Sequence, residues 1–480
     1  MIVLRLCHIT YLFIRYNCFF LLYSSLKLST SKARSTRLVK FLEYGGPIFI
    51  KLGQVLSTRV DMFNDVFLEE LQKLRDQAKP INSVIIDNIL FQELHLKVQD
   101  VFQEIEEIPI ASASIAQIHK GVLKNGKTVA LKIIKPNTAR IFKQDIAILK
   151  ILFWLIEVLT KRGRISKPTR IIDYLEKSIK MELDLSYEAA AIDEFRDNFK
   201  EDPDVYIPKV YWSYVSKNIL VEEWIDGLKI TDISQIQNNN LSLESITKKI
   251  TKVFFVQTLQ YGFFHGDIHP GNVFVLKTGQ IALVDFGIMG RLDEKNQDYL
   301  TNLFIAFLNK DYYKAAKIHF DAGWISNKYT IEDFSLACRS IVEKILYLPQ
   351  EEIMLGDLLH QLFVISGDFA MEIQENLLLL QKNLLYLEHI GRKLSPKNNM
   401  WIVSKGIIEE NISKRYGLEY YIKKLYAEPL NEFKLLKESL FTYNCSLVKL
   451  LHKQSLYMKI NLMLMFFVLC LMCIFIIGSY

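Results

Sequence analysis

The 480-residue sequence predicts an α+β chain: a small β-containing lobe set among helices and followed by a larger helical lobe. Three features carry that reading. Two runs rich in Val, Ile and Leu between Ser114 and Ile134 flank Asn125-Gly126, residues suited to the φ > 0 positions of a tight hairpin turn. Apolar residues at Ile172, Leu175, Ile179 and Leu183 recur at helical spacing. Two short strands, 273–276 and 281–284, are joined by a turn at Thr278-Gly279, and after Gly290 only helical patterns follow.

Taken in order, Met1 to Leu22 is apolar but interrupted by Arg5, His8 and Arg15. No acidic residue precedes Glu43, while Lys27, Lys32, Arg34, Arg37 and Lys40 alternate with serines. Such a stretch suits a mitochondrial transit peptide or an interfacial helix whose cations meet anionic lipid. Residues 38–56 and 64–76 predict amphipathic helices, and Glu104–Pro109 an acidic connector into the hairpin. Pro168 suits the first turn of a helix running to about Asn198. A strand through Ile219–Glu223 ends at Asp226-Gly227, and a helix over 243–263 leads into His265. From Ile460 to Ile477 the chain is apolar except for Asn461, a helix that approaches the ~30 Å thickness of a bilayer core. Its insertion is favoured by about −5 kcal/mol before the cost of the Asn. Lys449, Lys453 and Lys459 precede it, so a transmembrane helix over 458–478 would leave the bulk of the chain in the cytoplasm.

With 50% hydrophobic and 12% aromatic residues, whole-chain disorder is excluded. The net charge of +6 is modest and diffuse, so no nucleic-acid partner is expected. Six cysteines in so long a chain point to a reducing compartment. Cys470 and Cys473 spell CxxC inside the apolar run, with no second pair and no histidine nearby, which reads as membrane packing and not as zinc.

The chemistry lies in His265-Gly266-Asp267-Ile268-His269-Pro270-Gly271-Asn272 and, after a hydrophobic strand, Asp285-Phe286-Gly287. Phosphoryl transfer from a nucleotide needs a carboxylate to orient the attacking oxygen, and an amide oxygen plus a carboxylate to hold Mg²⁺ on the phosphates. The spacing makes Asp267 the candidate base and Asn272 and Asp285 the metal ligands, as in a kinase catalytic loop. His265 and His269 are four apart, but the glycines and proline around them exclude a helical zinc pair. Upstream, Val129-Ala130-Leu131-Lys132 places a lysine inside an apolar strand, where it is costly unless an anion such as the α- and β-phosphates meets it. Glu188, on the next long helix, is its expected partner. The segment Ala111-Ser112-Ala113-Ser114-Ile115-Ala116-Gln117 stands where a kinase carries its glycine-rich loop. Alanine keeps the side chains small but gives up access to φ > 0.

At these residues the sequence resembles the UbiB/ADCK family of atypical protein-kinase-like proteins. The resemblance runs from about Phe41 to Arg291, and its most specific mark is Lys51-Leu52-Gly53-Gln54, similar to the family's KxGQ helix. Glu182-Leu183-Asp184 matches the ExD element, and Trp224-Ile225-Asp226-Gly227, the HGDxHPGN loop and the DFG match as they stand. What the resemblance implies is a two-lobed protein-kinase-like fold in which the KxGQ helix covers the place of a protein substrate, with Lys51 near the ExD acids. Because Glu182 and Asp184 are two apart, they are expected on opposed helix faces, one pairing Lys51 while the other helps hold Mg²⁺ or Lys132. Gly266 stands where other kinases carry an arginine and no A-P-E follows the DFG, so protein kinase activity in trans is disfavoured.

The implied domains are a basic apolar membrane-proximal segment (1–40), a helical KxGQ extension (41–105), a kinase-like N-lobe (106–226), a helical C-lobe (227–440) and the transmembrane helix (458–478). The implied nucleotide site comprises Ala111 to Gln117, Lys132, Glu222 and Trp224, with ATP or ADP and Mg²⁺ as cofactors. The family role is a membrane-anchored ATPase or unorthodox kinase supporting ubiquinone biosynthesis. Its partners would be membrane lipids and quinone-biosynthesis enzymes or lipid precursors, at a bacterial inner membrane or, alternatively, a mitochondrial one. A small-molecule phosphotransferase and a nonenzymatic nucleotide-sensing scaffold are the competing functions.

Overall fold

In the computed structural model the chain divides into two units, Met1–Asn411 and Ile412–Tyr480. The described residues lie between 2 and 410; outside them are 19–31, 58–64, 75–80, 160–168, 347–354, 397–402, all from 411 onward and a few single positions, Ser114 among them. The predicted span at 458–478 therefore falls outside the described residues. Among those described, no helix is long and apolar enough to cross a membrane.

Alternation of side chains builds the first lobe. Strands β1 (Phe102–Ile105), β3 (Ala116–Leu123), β4 (Thr128–Ile134) and β6 (Ile219–Glu223) form an antiparallel sheet, with β2 (Ala111–Ser112) paired to β3. The odd-numbered residues Val129, Leu131, Ile133, Ile219 and Val221 join Ile86, Leu90 and Phe102 in a buried core. The even-numbered Ala130 and Lys132 face the other way, in register with Glu222 and Leu220. In the hairpin turn only Gly126 takes positive φ (80°), not Asn125 as well, because Lys124 and Lys127 lengthen the loop beyond two residues. The acidic connector begins later than predicted, since Glu104 and Ile105 pair with Val122 and Gly121.

Before this sheet, the predicted helix over 38–56 is two helices, α2 (Lys32–Gly45) and α3 (Pro47–Ser57). Gly46 at φ 96° breaks it, and Pro47 restarts it at a position where no amide hydrogen is needed. Of the helix predicted over 64–76, the described helical part is Asp65–Leu71. The apolar N-terminus forms α1 (Ile2–Arg15), which buries Ile9 and Leu12 and sets Phe13 edge-on to Phe41. Arg5 makes two 2.7 Å hydrogen bonds to the buried carboxylate of Asp145 and donates to the Gly45 carbonyl at the end of α2.

The long helix predicted over 168–198 is likewise two, Thr169–Glu182 and Leu185–Phe199. Asp184 lies between them with extended backbone and accepts from the amide of Ser186, capping the second. In the second lobe, the helix predicted over 243–263 runs as α-helix through Leu243–Phe255 and widens to π-helix over Val256–Gln260. It yields to a strand, Phe263–His265, paired with Met289–Arg291. The strands Val273–Val275 and Ile281–Leu283 lie in a four-stranded sheet with β5 (Val205–Tyr206) and Leu228–Lys229. Beyond Arg291 the described elements are helices, among them Glu375–Leu394, which packs under the loop that carries Asp267.

Candidate active site

Lys132 projects from β4 toward the second lobe. Its ammonium lies 2.7 Å from Glu188 Oε1 and 2.8 Å from Asp285 Oδ1. Burial opposes the Lys132 charge, but the Asp285 and Glu188 carboxylates outweigh it and hold the ammonium above its ordinary pKa. The Lys132 charge keeps Asp285 below the usual carboxylate range. Glu188 is fully enclosed, and burial pushes it up to about 7 against the pull of Lys132. Asp285 is held at φ 63°, a left-handed conformation that short polar side chains tolerate, and its side chain is about half exposed, at 47%. Phe286 turns inward beside it, against Phe195 on Glu188's own helix and His265.

The loop from His265 to Asn272 is braced from within. His265 is buried and held below its usual pKa chiefly by that burial; its Nδ1 accepts from the amide of Asp267 and its Nε2 lies 3.2 Å from the Val284 carbonyl. His269 Nδ1 accepts from the amide of Gly271. Both histidines serve the backbone. Asn272 Nδ2 donates to the Asp267 carbonyl at 3.1 Å, which leaves Oδ1 available to a cation. Among the described residues no cluster of three or more His, Cys, Asp or Glu could hold a metal unaided. The hard oxygens of Asn272 and Asp285 therefore fit Mg²⁺ only in company with substrate phosphates, its usual mode.

Gly266 allows the loop to approach Ile288: its amide donates to the Ile288 carbonyl at 2.8 Å, and an added Cβ would stand 3.0 Å from that oxygen. An arginine has no room there.

The alanine-rich segment includes β2 and the start of β3, and between them the Ala113 amide donates to the Ala116 carbonyl. Ser114 is outside the described residues; Ile115 and Ala116 are buried. Gln117 corrects the predicted set. It pairs with Ile133, on the face away from Lys132, and its amide group is engaged by both backbone groups of Ile81 and by His119. A strand neighbour one residue out of phase points away from the cleft. Glu222 shares the Lys132 face, and Trp224 follows it with Lys120 5.0 Å over its ring.

Lys51 meets Glu182 at 2.5 Å, while Asp184 is occupied as a helix cap. The expectation that these acids sit on opposed faces of one helix is thus replaced by a break between two helices. Gly53 lies so close to Leu42 and Leu74 that a side chain would displace them, and Gln54 accepts from Ser57 through its carbonyl.

Three residues escaped the sequence reading. Lys135 donates to Ser112 Oγ and the Ala113 carbonyl, bracing the turn over the cleft. Lys382 stands 2.8 Å from Asp267 Oδ1. Asn383, wholly buried, accepts from the amide of Ile268 and donates to the carbonyl of His265. A lone asparagine within an apolar helical stripe was the one available signal for the last.

Comparison with known proteins matches residues 73–319 to the ABC1 atypical kinase-like domain and residues 338–399 to the UbiB helical domain. The chain is 38% identical over 386 residues to the probable protein kinase UbiB of Pseudomonas aeruginosa strain PAO1, covering 80% of this chain and 72% of that protein. It is 35% identical over 397 residues to that of Marinobacter nauticus, covering 82% and 73%. A solved structure of Rv3197 with erythromycin, from Mycobacterium tuberculosis, shares the fold, with a TM-score of 0.54 at 23% identity, covering 74% of this chain and 90% of the other.

Proposed function

The chain belongs to the UbiB/ABC1 family of atypical kinase-like proteins, and on that footing we propose that it is a Mg²⁺-ATP-dependent atypical kinase or ATPase supporting ubiquinone biosynthesis. The observation that carries the reading is the Lys132 ammonium held between Glu188 and Asp285, 2.7 and 2.8 Å away. Lys132 would meet the α- and β-phosphates, with Glu188 fixing its position. Mg²⁺ held by Asn272 and Asp285 would neutralise charge on the β- and γ-phosphates. Asp267 would take the proton of the acceptor hydroxyl or water as its oxygen bonds the γ-phosphorus and the bond to the β–γ bridging oxygen breaks. Lys382 fixes where that carboxylate sits.

Lys51 and its ion pair with Glu182 support an acceptor other than a docked peptide, and argue against a plain small-molecule phosphotransferase. The apolar segment at 458–478 supports attachment to a membrane, with the catalytic lobes in the cytoplasm of a bacterium or, alternatively, at a mitochondrial inner membrane. Its partners there would be lipid precursors or the enzymes that process them.

Calorimetric titration with Mg-ATP tests the cleft: Lys132→Ala should abolish binding, and Asp285→Asn should abolish hydrolysis. Wild-type protein that binds no adenine nucleotide in Mg²⁺ would refute the reading. Accumulation of a prenylated phenol precursor in a deletion strain would place the protein in the quinone pathway.

A further inference from the structure

The cleft contains a carboxyl group that the proposed phosphoryl transfer does not use. Glu222 lies on β6 directly opposite Ala130, and Ala130 is two residues from Lys132 on the same strand. Side chains alternate along strands, so Glu222, Ala130 and Lys132 face one way while Val129, Leu131 and Val221 enter the core behind the sheet. Glu222 is only 7% exposed, and its Oε2 is shielded from water with no hydrogen-bond partner. Packing alone would be served by an apolar side chain. A carboxyl oxygen buried without a partner is costly, and its position beside the small Ala130 leaves its polar end toward whatever lies flat against that strand.

We propose that Glu222 reads the nucleobase: its carboxyl hydrogen-bonds the exocyclic amino group, and the adjoining ring nitrogen, of an adenine whose phosphates lie at Lys132 and Asp285. The inference rests on the nucleotide reading of the cleft. The geometry suits it, because Glu222 and Ala130 face the same side of the sheet as Lys132, one side-chain repeat along β4 from it, so a ligand anchored at Lys132 would have Glu222 within reach. Burial, followed by the nearby Glu188 charge, pushes Glu222 up to about 8, so near neutrality it is a carboxylic acid with one donor and one acceptor. Those match the amino donor and ring-nitrogen acceptor of adenine.

The test compares binding of Mg-ATP with that of Mg-purine riboside triphosphate, which has hydrogen in place of the amino group, to the full chain by calorimetry. Wild type should prefer ATP by about tenfold, the size of one neutral hydrogen bond. Glu222→Gln, which keeps a donor and an acceptor, should retain that ratio, and Glu222→Leu should bind both nucleotides with a ratio within about twofold. A Glu222→Leu protein that keeps the wild-type ratio overturns the proposal, as does a wild-type ratio already within twofold. Loss of all binding in Glu222→Leu beside an unaffected Glu222→Gln would make Glu222 a packing residue and also overturn it. Wild type that binds neither nucleotide removes the reading of the cleft, and this proposal with it.

Discussion

Replacing Asn383 by alanine should loosen the loop that carries Asp267 from below. Asn383 is wholly buried on the helix Glu375–Leu394, where its Oδ1 accepts from the Ile268 amide at 2.9 Å and its Nδ2 donates to the His265 carbonyl at 2.6 Å. Those two backbone groups flank Asp267. Alanine removes both partners at once and offers neither group a substitute. A buried polar group left unpaired costs about 1–3 kcal/mol, so the pair predicts a loss of about 2–6 kcal/mol, a large part of a typical domain's ~5–15 kcal/mol. Urea unfolding of wild type and variant, read as a shift of midpoint at constant slope, measures it. Hydrolysis should fall by about 100-fold, because a shift of about 1 Å at a reacting group costs that much. Asn383→Asp keeps the acceptor but loses the donor and buries a charge, so it should be no better than alanine. If Asn383→Ala unfolded within about 0.5 kcal/mol of wild type and hydrolysed nucleotide normally, this helix would not be what holds the loop.

Gly266→Ala should destabilise by about 1–3 kcal/mol, seen as a lower melting temperature, because its Cβ meets the Ile288 carbonyl, a backbone atom that cannot turn aside. A double-mutant cycle with Lys51→Ala and Glu182→Ala should give a coupling of about 1–3 kcal/mol in denaturant unfolding, since both partners are largely shielded from solvent. Coupling below about 0.3 kcal/mol would mean that the pair does not fasten the Lys51 helix. Glu222 has a folded pKa raised to about 8, so the stability it contributes is full below its unfolded value of ~4.3 and is lost as pH rises toward 8. Glu222→Gln should flatten that decline in a pH series of unfolding midpoints.

The parts of the site legible in the sequence are those in which side-chain type and short-range spacing determine position. Lys132 is marked by being charged inside an apolar strand, and the loop from His265 to Asn272 by carrying its acid and amide five apart. Glu188 follows once a long helix is expected after the strand. The break at Leu183-Asp184 was hidden because the stripe Ile172, Leu175, Ile179, Leu183 runs straight up to it, and an aspartate that caps a helix looks like one within a helix. Gln117 was misjudged for another reason: whether a strand residue faces the cleft depends on its register against Lys132, which only the paired sheet reveals. Lys382 and Asn383 lie more than a hundred residues beyond the loop they support, and local pattern is silent about contacts at that separation.

Three acids fall within seven residues and have three separate partners. Glu182, at the end of one helix, binds Lys51; Asp184 caps the next helix; Glu188, in that helix's first turn, binds Lys132. The Lys51 helix and Lys132 are therefore joined through one corner of backbone, with an ion pair on each side of it. Asp184 makes that corner stiff, because a capped start fixes the direction in which Glu188 projects. A shift of the Lys51 helix would reach Lys132 through Glu182, Asp184 and Glu188 without passing through the core of either lobe. The second carboxylate on Lys132, Asp285, comes from the other lobe, so the same ammonium also registers how the two lobes face each other. Lys132 is thus shared by two carboxylates, the buried one of Glu188 on the helix that Asp184 caps and the half-exposed one of Asp285 from the other lobe.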